Sequence, residues 1–440
     1  MARALTTLAA AAACALAVSC GGAGSGGEAV RVLVFGDPEE LQAYRDVARS
    51  YEQRDDGGPV QLVEAGDRTD LLARLSTSLA AGNPPDLVLL NYRYYGQFAA
   101  REAFEPLTER LAGSAAFDEE DFYPQALDAF RWRGEQLCMP QNVSSLVVYY
   151  NRDLFRQEGL PEPQAGWTFA EMVSIAARLT LDAAGNPVAA TDPDQGGGSG
   201  QAEVYGLGVE PTLIRIAPFV WSNGGELVDD ERRPTRFTLD TPEATKALED
   251  FLGVRARSRV TPADVEVEAE EDESRFANGR LAMLLSSRRS TPTFRAIRDF
   301  EWDVAPLPVH REAAGILHSD AYCLAADSDR KDEAWRFVEF ALGREGQRIT
   351  ARTGRTVPSL IEIARSDAFL DPSRPPRRSQ VFLDGIATIR RVPVISTWPE
   401  IEDAAEPILE NGFYLGHPAE QVAGELDEAT RPLFARGEGP

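Results

Sequence analysis

Along the first hundred residues, apolar and polar positions fall into blocks that change period. Val30 to Phe35 is a short apolar run closed by the turn residues Gly36-Asp37-Pro38, after which Leu41, Tyr44, Val47, Ala48 and Tyr51 share one helical face. A second strand pattern covers Val60 to Glu64 and a helical one Asp70 to Ala81, which Gly82-Asn83-Pro84-Pro85 breaks before the apolar run Leu87 to Leu90. Strands alternating with helices predict an α/β sheet. Ligands of such sheets bind in the crevice where strands end and helices begin, because unpaired backbone groups point there. Two early loops fit that description: Gly36 to Glu40, and Asn91 to Gly96, the latter carrying Tyr92, Arg93, Tyr94 and Tyr95. Its rings and donors suit a polar ligand with apolar faces.

From Leu137 to Asn151 the pattern predicts an apolar strand long enough to leave one sheet and enter another. Thr168 followed by Glu171 predicts a helix with a capping box. Asp182 to Glu203 is polar and Gly-rich without periodicity, and is expected to be a mobile surface loop. A phosphate-cradling loop would need a Lys and Ser or Thr opening a helix, which this segment lacks. The acidic run Glu266 to Glu273 lacks EF-hand spacing and reads as a solvated face, so no metal is expected there.

The N-terminus changes the setting. Met1 to Arg3 carries a positive charge and Ala4 to Val18 is uncharged and apolar, the head and core of a secretory signal. The stretch is too short to span a bilayer, which takes about 20 apolar residues. Ala17-Val18-Ser19-Cys20 resembles a bacterial lipobox, making Cys20 the expected lipidation site after removal of residues 1–19. Residues 20–29, including Gly21-Gly22-Ala23-Gly24-Ser25-Gly26-Gly27, form the expected lipidated head and flexible tether. The formal charge of −25 argues against a nucleic-acid partner. Cys138 and Cys323 lack zinc spacing; in an oxidising location they fit either a disulfide or two buried thiols.

Several phrases in order resemble the extracellular solute-binding proteins of ABC importers, specifically the carbohydrate-binding group similar to maltose-binding protein. They are Ala80-Ala81-Gly82-Asn83-Pro84-Pro85-Asp86-Leu87-Val88; Met139-Pro140 with Val148-Tyr149-Tyr150-Asn151; Trp167-Thr168 with Glu171; Asn223-Gly224-Gly225-Glu226-Leu227; Phe276-Ala277-Asn278-Gly279-Arg280-Leu281-Ala282-Met283; and Trp302-Asp303-Val304-Ala305-Pro306-Leu307-Pro308. Ala334 to Phe340 and Gly354 to Pro358 add to the likeness. It implies a two-lobed periplasmic-binding-protein-like α/β fold of the class II type. Lobe 1 is expected to hold residues 30–141 and 317–378, and lobe 2 residues 142–316 and 379–440. Hinge closure over a central cleft follows. The implied partners are a small sugar-like solute and the permease subunits of an importer, with a monomeric chain tethered to the membrane by lipid and no cofactor.

Carried over by motif, the implied ligand contacts are Asp37 and Glu40 after the first strand, and Asn91, Tyr92 and Tyr95 after Leu87 to Leu90. Gln141, Asn142 and Ser144 sit at the first crossing, and Thr212 and Trp221 flank the helix before Asn223. Trp398, at the end of Pro393 to Trp398, is expected to stack on a sugar face. After Met283-Leu284-Leu285, where the family commonly places a ring, this chain has Ser286-Ser287-Arg288-Arg289, of which Ser286, Arg288 and Arg289 are implied contacts. Arg288 or Arg289 in that place points alternatively to an anionic solute, such as a sugar acid or glycerol phosphate, because a guanidinium grips carboxylate and phosphate. His318 is a further, weaker candidate. An enzyme is not expected: three histidines leave little material for a His-based site, and paired carboxylates are unavoidable among 70 Asp and Glu. Ferric iron on Tyr94-Tyr95 or Tyr149-Tyr150 is the other alternative, as is a solute sensor that feeds no transporter.

Overall fold

The computed structural model describes residues 28–188 and 201–440. Cys20, the signal segment, most of the tether and the Gly-rich residues 189–200 lie outside them.

Two separate sheets organise the chain. The first has five strands in the order Val60–Glu64, Val30–Val34, Leu87–Asn91, Asp320–Leu324 and Cys138–Pro140. Its first three strands run parallel, each joined to the next by a helix, and Asp320–Leu324 runs antiparallel to both neighbours. The helix Pro38–Glu52 follows the expected face, burying Tyr44, Val47, Ala48 and Tyr51, and Asp37 caps it by accepting a hydrogen bond from the Glu40 amide at 2.9 Å. The second sheet has three strands, with Val147–Asn151 central and antiparallel to Met283–Ser286 and Trp302–Ala305. The expected capping box of Thr168 and Glu171 opens the helix Phe169–Arg178. Four further helices, Leu213–Ser222, Pro242–Ala256, Trp398–Leu415 and Ala419–Phe434, pack on one another beside the second sheet.

The single long strand expected over Leu137 to Asn151 is two strands, Cys138–Pro140 and Val147–Asn151, one in each sheet. Between them the chain crosses from one sheet to the other, where neither ladder can continue. Its backbone groups find other partners there, as buried groups must. The Ser144 amide donates to the His318 carbonyl at 2.9 Å, and the His318 amide returns the bond to the Ser144 carbonyl at 2.8 Å. Residues 141–146 and 316–319 therefore cross side by side. Cys138 and Cys323, register partners on neighbouring strands, are joined by a disulfide. Among the described residues no helix is long and apolar enough to cross a membrane, and no group of three metal-ligating side chains occurs, the acidic run included.

Candidate functional site: the cleft between the sheets

A cavity of about 540 Å³ lies beside the paired crossing segments, and both halves of the fold line it. On the first-sheet side, Phe35 and Asp37 come from the end of the first strand, Arg68 from the head of the helix Arg68–Ala80, and Arg93 and Tyr94 from the helix Tyr92–Ala99. Arg355, just after the helix Arg344–Thr353, reaches the same wall. Its guanidinium pairs with Asp37 Oδ2 at 3.0 Å and Glu40 Oε2 at 2.6 Å. Glu40 also accepts from the Tyr44 hydroxyl at 2.6 Å. Burial nonetheless lifts its carboxyl above the usual range, against the pull of Arg355 and Tyr44.

The opposite wall is built from Glu210, Thr212 and Arg215 around the start of the helix Leu213–Ser222, from Ser287 and Arg289 after the strand Met283–Ser286, and from Glu402, Asp403 and Glu406 on one face of the helix Trp398–Leu415. Arg215 Nη2 lies 3.1 Å from Glu210 Oε2, which holds the Glu210 carboxyl below its usual range. Arg93 spans the cleft to Glu402, with Nη1 to Oε2 at 2.8 Å. At the crossing, burial first, then Arg215, Arg93, Arg289 and Arg68, push the His318 imidazole well below 6.5, so it is neutral.

Glu210, Thr212, Arg289 and Glu406 also line an adjoining cavity of about 450 Å³, whose other walls carry the carboxylates of Asp264, Glu271, Asp272, Glu273 and Glu410 among apolar residues. Asp272 stands there with Oδ1 buried and unpartnered. Burial, reinforced by Glu210 and Glu270 against Arg275, pushes its carboxyl up to about 7 from 3.8. The folded chain therefore keeps a proton that the unfolded chain releases. This contribution to stability is full below pH ~4 and is lost as pH rises through ~7. Asp272→Asn is expected to be more stable than the parent at pH 8 by about 1–4 kcal/mol. Thermal unfolding at pH 8 and pH 4 checks this; the gap should close at pH 4.

A family model for bacterial extracellular solute-binding proteins matches residues 46–374. The chain belongs to that family. A binding protein of Brucella abortus (strain 2308) is 23% identical over 377 residues, covering 84% of this chain and 82% of its own. The maltotriose-binding protein of Pyrococcus abyssi is 23% identical over 311 residues, covering 69% and 60%. An ABC substrate-binding protein from Listeria monocytogenes, solved with cycloalternan, superposes with a TM-score of 0.80 at 24% identity, covering 92% of this chain and 98% of that one. The two-lobed fold is the one these solute-binding proteins share.

Within this solute-binding fold, the fourteen residues expected to touch ligand scatter. Asp37, Thr212 and Arg289 line the main cavity and Ser286 the adjoining one, where its hydroxyl is 2.8 Å from that of Ser290. The others lie behind the walls. Trp398 is fully buried: it opens the helix Trp398–Leu415 with its ring turned onto Phe237 and Phe434, and only its Nε1–H, donating to Glu402 Oε1 at 2.9 Å, looks toward the cleft. Arg288 is fully buried too, between Phe369 and Phe382, donating to the Gly354 carbonyl at 2.6 Å and the Ser379 hydroxyl at 3.2 Å. It ties structure together rather than facing solute.

Tyr92 and Tyr95 belong to the core, Tyr95 donating to the Phe130 carbonyl at 3.1 Å. Asn91 and Asn142 both hold Asp320, their side-chain amides 3.1 and 3.3 Å from its two carboxylate oxygens. Gln141 is buried, its carbonyl accepting from Gln347. Ser144 bonds the next carbonyl, and Trp221 lies under Arg390 at 4.7 Å. Glu40 acts through Arg355.

Sequence reasoning missed Phe35, Arg68, Glu210, Arg215, Arg355 and the acidic trio Glu402, Asp403 and Glu406, and of the candidate loop after Leu90 it carried forward Tyr92 and Tyr95 rather than Arg93 and Tyr94. Two signals were available. With Asn91 as cap, Tyr92, Tyr95 and Ala99 share one helical face, which leaves Tyr94 on the other. Arg215 is the only charged residue in the otherwise apolar helix Leu213–Ser222, and an isolated cation there calls for a polar destination.

Proposed function

We propose that this chain is the extracytoplasmic substrate-binding lipoprotein of an ABC importer. In this reading it captures a carbohydrate or related polyol by closing lobe 1 (30–141 and 317–378) on lobe 2 (142–316 and 379–440), and hands the solute unchanged to permease subunits. It works as a monomer tethered through Cys20. The observation that carries the reading is the main cavity, whose size falls within the range of small-molecule sites. Both lobes supply its polar side chains beside a paired crossing suited to hinge motion. What the maltotriose-binding relative and the cycloalternan-bound neighbour take supports the carbohydrate class.

A thermal-shift panel of neutral sugars and polyols on the chain from residue 21 tests this. Ligand at 100 times Kd should raise the unfolding free energy by about 2.7 kcal/mol, and the solute should be recovered chemically intact. Conversion of the solute to product would replace capture with catalysis.

A further inference from the structure

The cavity holds more unanswered donors than a neutral solute's hydroxyls are suited to meet. Arg215 is 4% exposed, yet only Nη2 has a partner, Glu210, while Nε and Nη1 have none. Buried guanidinium donors without acceptors are costly, and an anionic acceptor satisfies them best. Thr212 Oγ1 and His318 Nε2, lining the same cavity, are likewise buried without partners. Arg68 completes the cluster. It makes no ion pair among the described residues, and its guanidinium lies over the rings of Phe35 and Tyr94 at 5.3 and 5.2 Å, which holds it flat and preorganised at the cavity wall. Arg215, Arg93, Arg289 and Arg68 all act on His318, so four guanidinium groups gather at the crossing end of the cavity. On the same wall as Arg215, and facing Arg68, Asp403 and Glu406 offer carboxylate oxygens and likewise make no ion pair among the described residues.

We propose that the solute is a sugar or polyol bearing one anionic group, a carboxylate or a phosphate, with the anion seated on Arg215 and Arg68 and the hydroxyls donating to Asp403 and Glu406. The inference rests on the solute-capture reading above and narrows its substrate class. Carboxylate and phosphate share the chemistry of two or more anionic oxygens that accept from guanidinium. Hydroxyls complement the acidic wall because they donate to it.

Isothermal titration calorimetry with two matched pairs of probes separates the outcomes: gluconate against sorbitol, and glycerol 3-phosphate against glycerol. Expected is binding of one anionic probe about 100-fold tighter than its neutral partner, the pair that responds identifying the anion. Arg68→Gln should weaken that probe about tenfold or more. The double variant Glu210→Gln with Arg215→Gln should weaken it further, without stranding one buried charge. Arg68 is partly buried but makes no ion pair among the described residues, so its variant should fold, which an unchanged melting curve checks. A neutral probe binding as tightly as its anionic partner, or an unchanged anion affinity in folded Arg68→Gln, overturns the anionic inference and leaves solute capture standing. If no probe and no sugar of the neutral panel binds, both readings fall.

Discussion

Truncation of Trp398 to Ala is expected to lower the unfolding free energy by about 3–5 kcal/mol, the cost of removing a large buried aromatic from a packed core. The ring has no solvent exposure, meets Phe237 and Phe434 with centroids 6.3 and 6.5 Å away, and opens an 18-residue helix that packs on four others. The deleted indole also held Glu402 Oε1 through its Nε1–H, while Glu402 Oε2 receives Arg93 from across the cleft. The variant should therefore lose stability first, with binding weakened only indirectly as Glu402 gains freedom. Urea unfolding and ligand titration of the same preparation separate the effects. Trp398→Phe, which keeps most of the volume and loses the donor, should cost about 1–2 kcal/mol. A Trp398→Ala protein of near-parental stability that no longer bound solute would instead make the ring a ligand platform, contrary to its burial.

That contrast marks what sequence reading can reach. The strand at Val60–Glu64 and the buried face Tyr44, Val47, Ala48 and Tyr51 were legible because period and turn residues are local properties. The two-lobed architecture followed from phrases that keep a family's order. Which of two adjacent residues faces the cleft is not local. Arg288 and Arg289 are neighbours in a 3-10 turn, yet one is clamped between Phe369 and Phe382 and the other is half-exposed at the cavity, opposite Glu273. The crossing at residues 141–146, Gln-Asn-Val-Ser-Ser-Leu, was read as part of one strand because apolar residues flank it on both sides. Only the separation of the two sheets ends the ladder at Pro140 and restarts it at Val147. The cleft arginines come from distant stretches at positions 68, 93, 215, 289 and 355, and nothing in sequence spacing relates them.

Replacing both Cys138 and Cys323 by Ala, or reducing the parent protein, is expected to lower the unfolding free energy by about 2–5 kcal/mol. The two residues are 185 apart in sequence, and the second sheet's three strands lie wholly between them. The disulfide thus closes the loop through which the chain leaves the first sheet and returns to it. Cross-linking so long a loop restricts the unfolded chain heavily, whereas in the folded state the strands are already register partners. Both sulfurs are fully buried, so the double Ala variant leaves only small voids and no unsatisfied donor, and the loss should come mainly from the unfolded side. Urea melts of parent, reduced parent and double variant check this: reduced parent and variant should share one lowered midpoint, and reductant should not move the variant. A parent whose melt ignores reductant, with two titratable thiols after unfolding, would mean that the bond does not form. The bond also needs an oxidising compartment, the setting expected from Met1 to Cys20, so the melt would tie the export reading at one end of the chain to the base of the cleft.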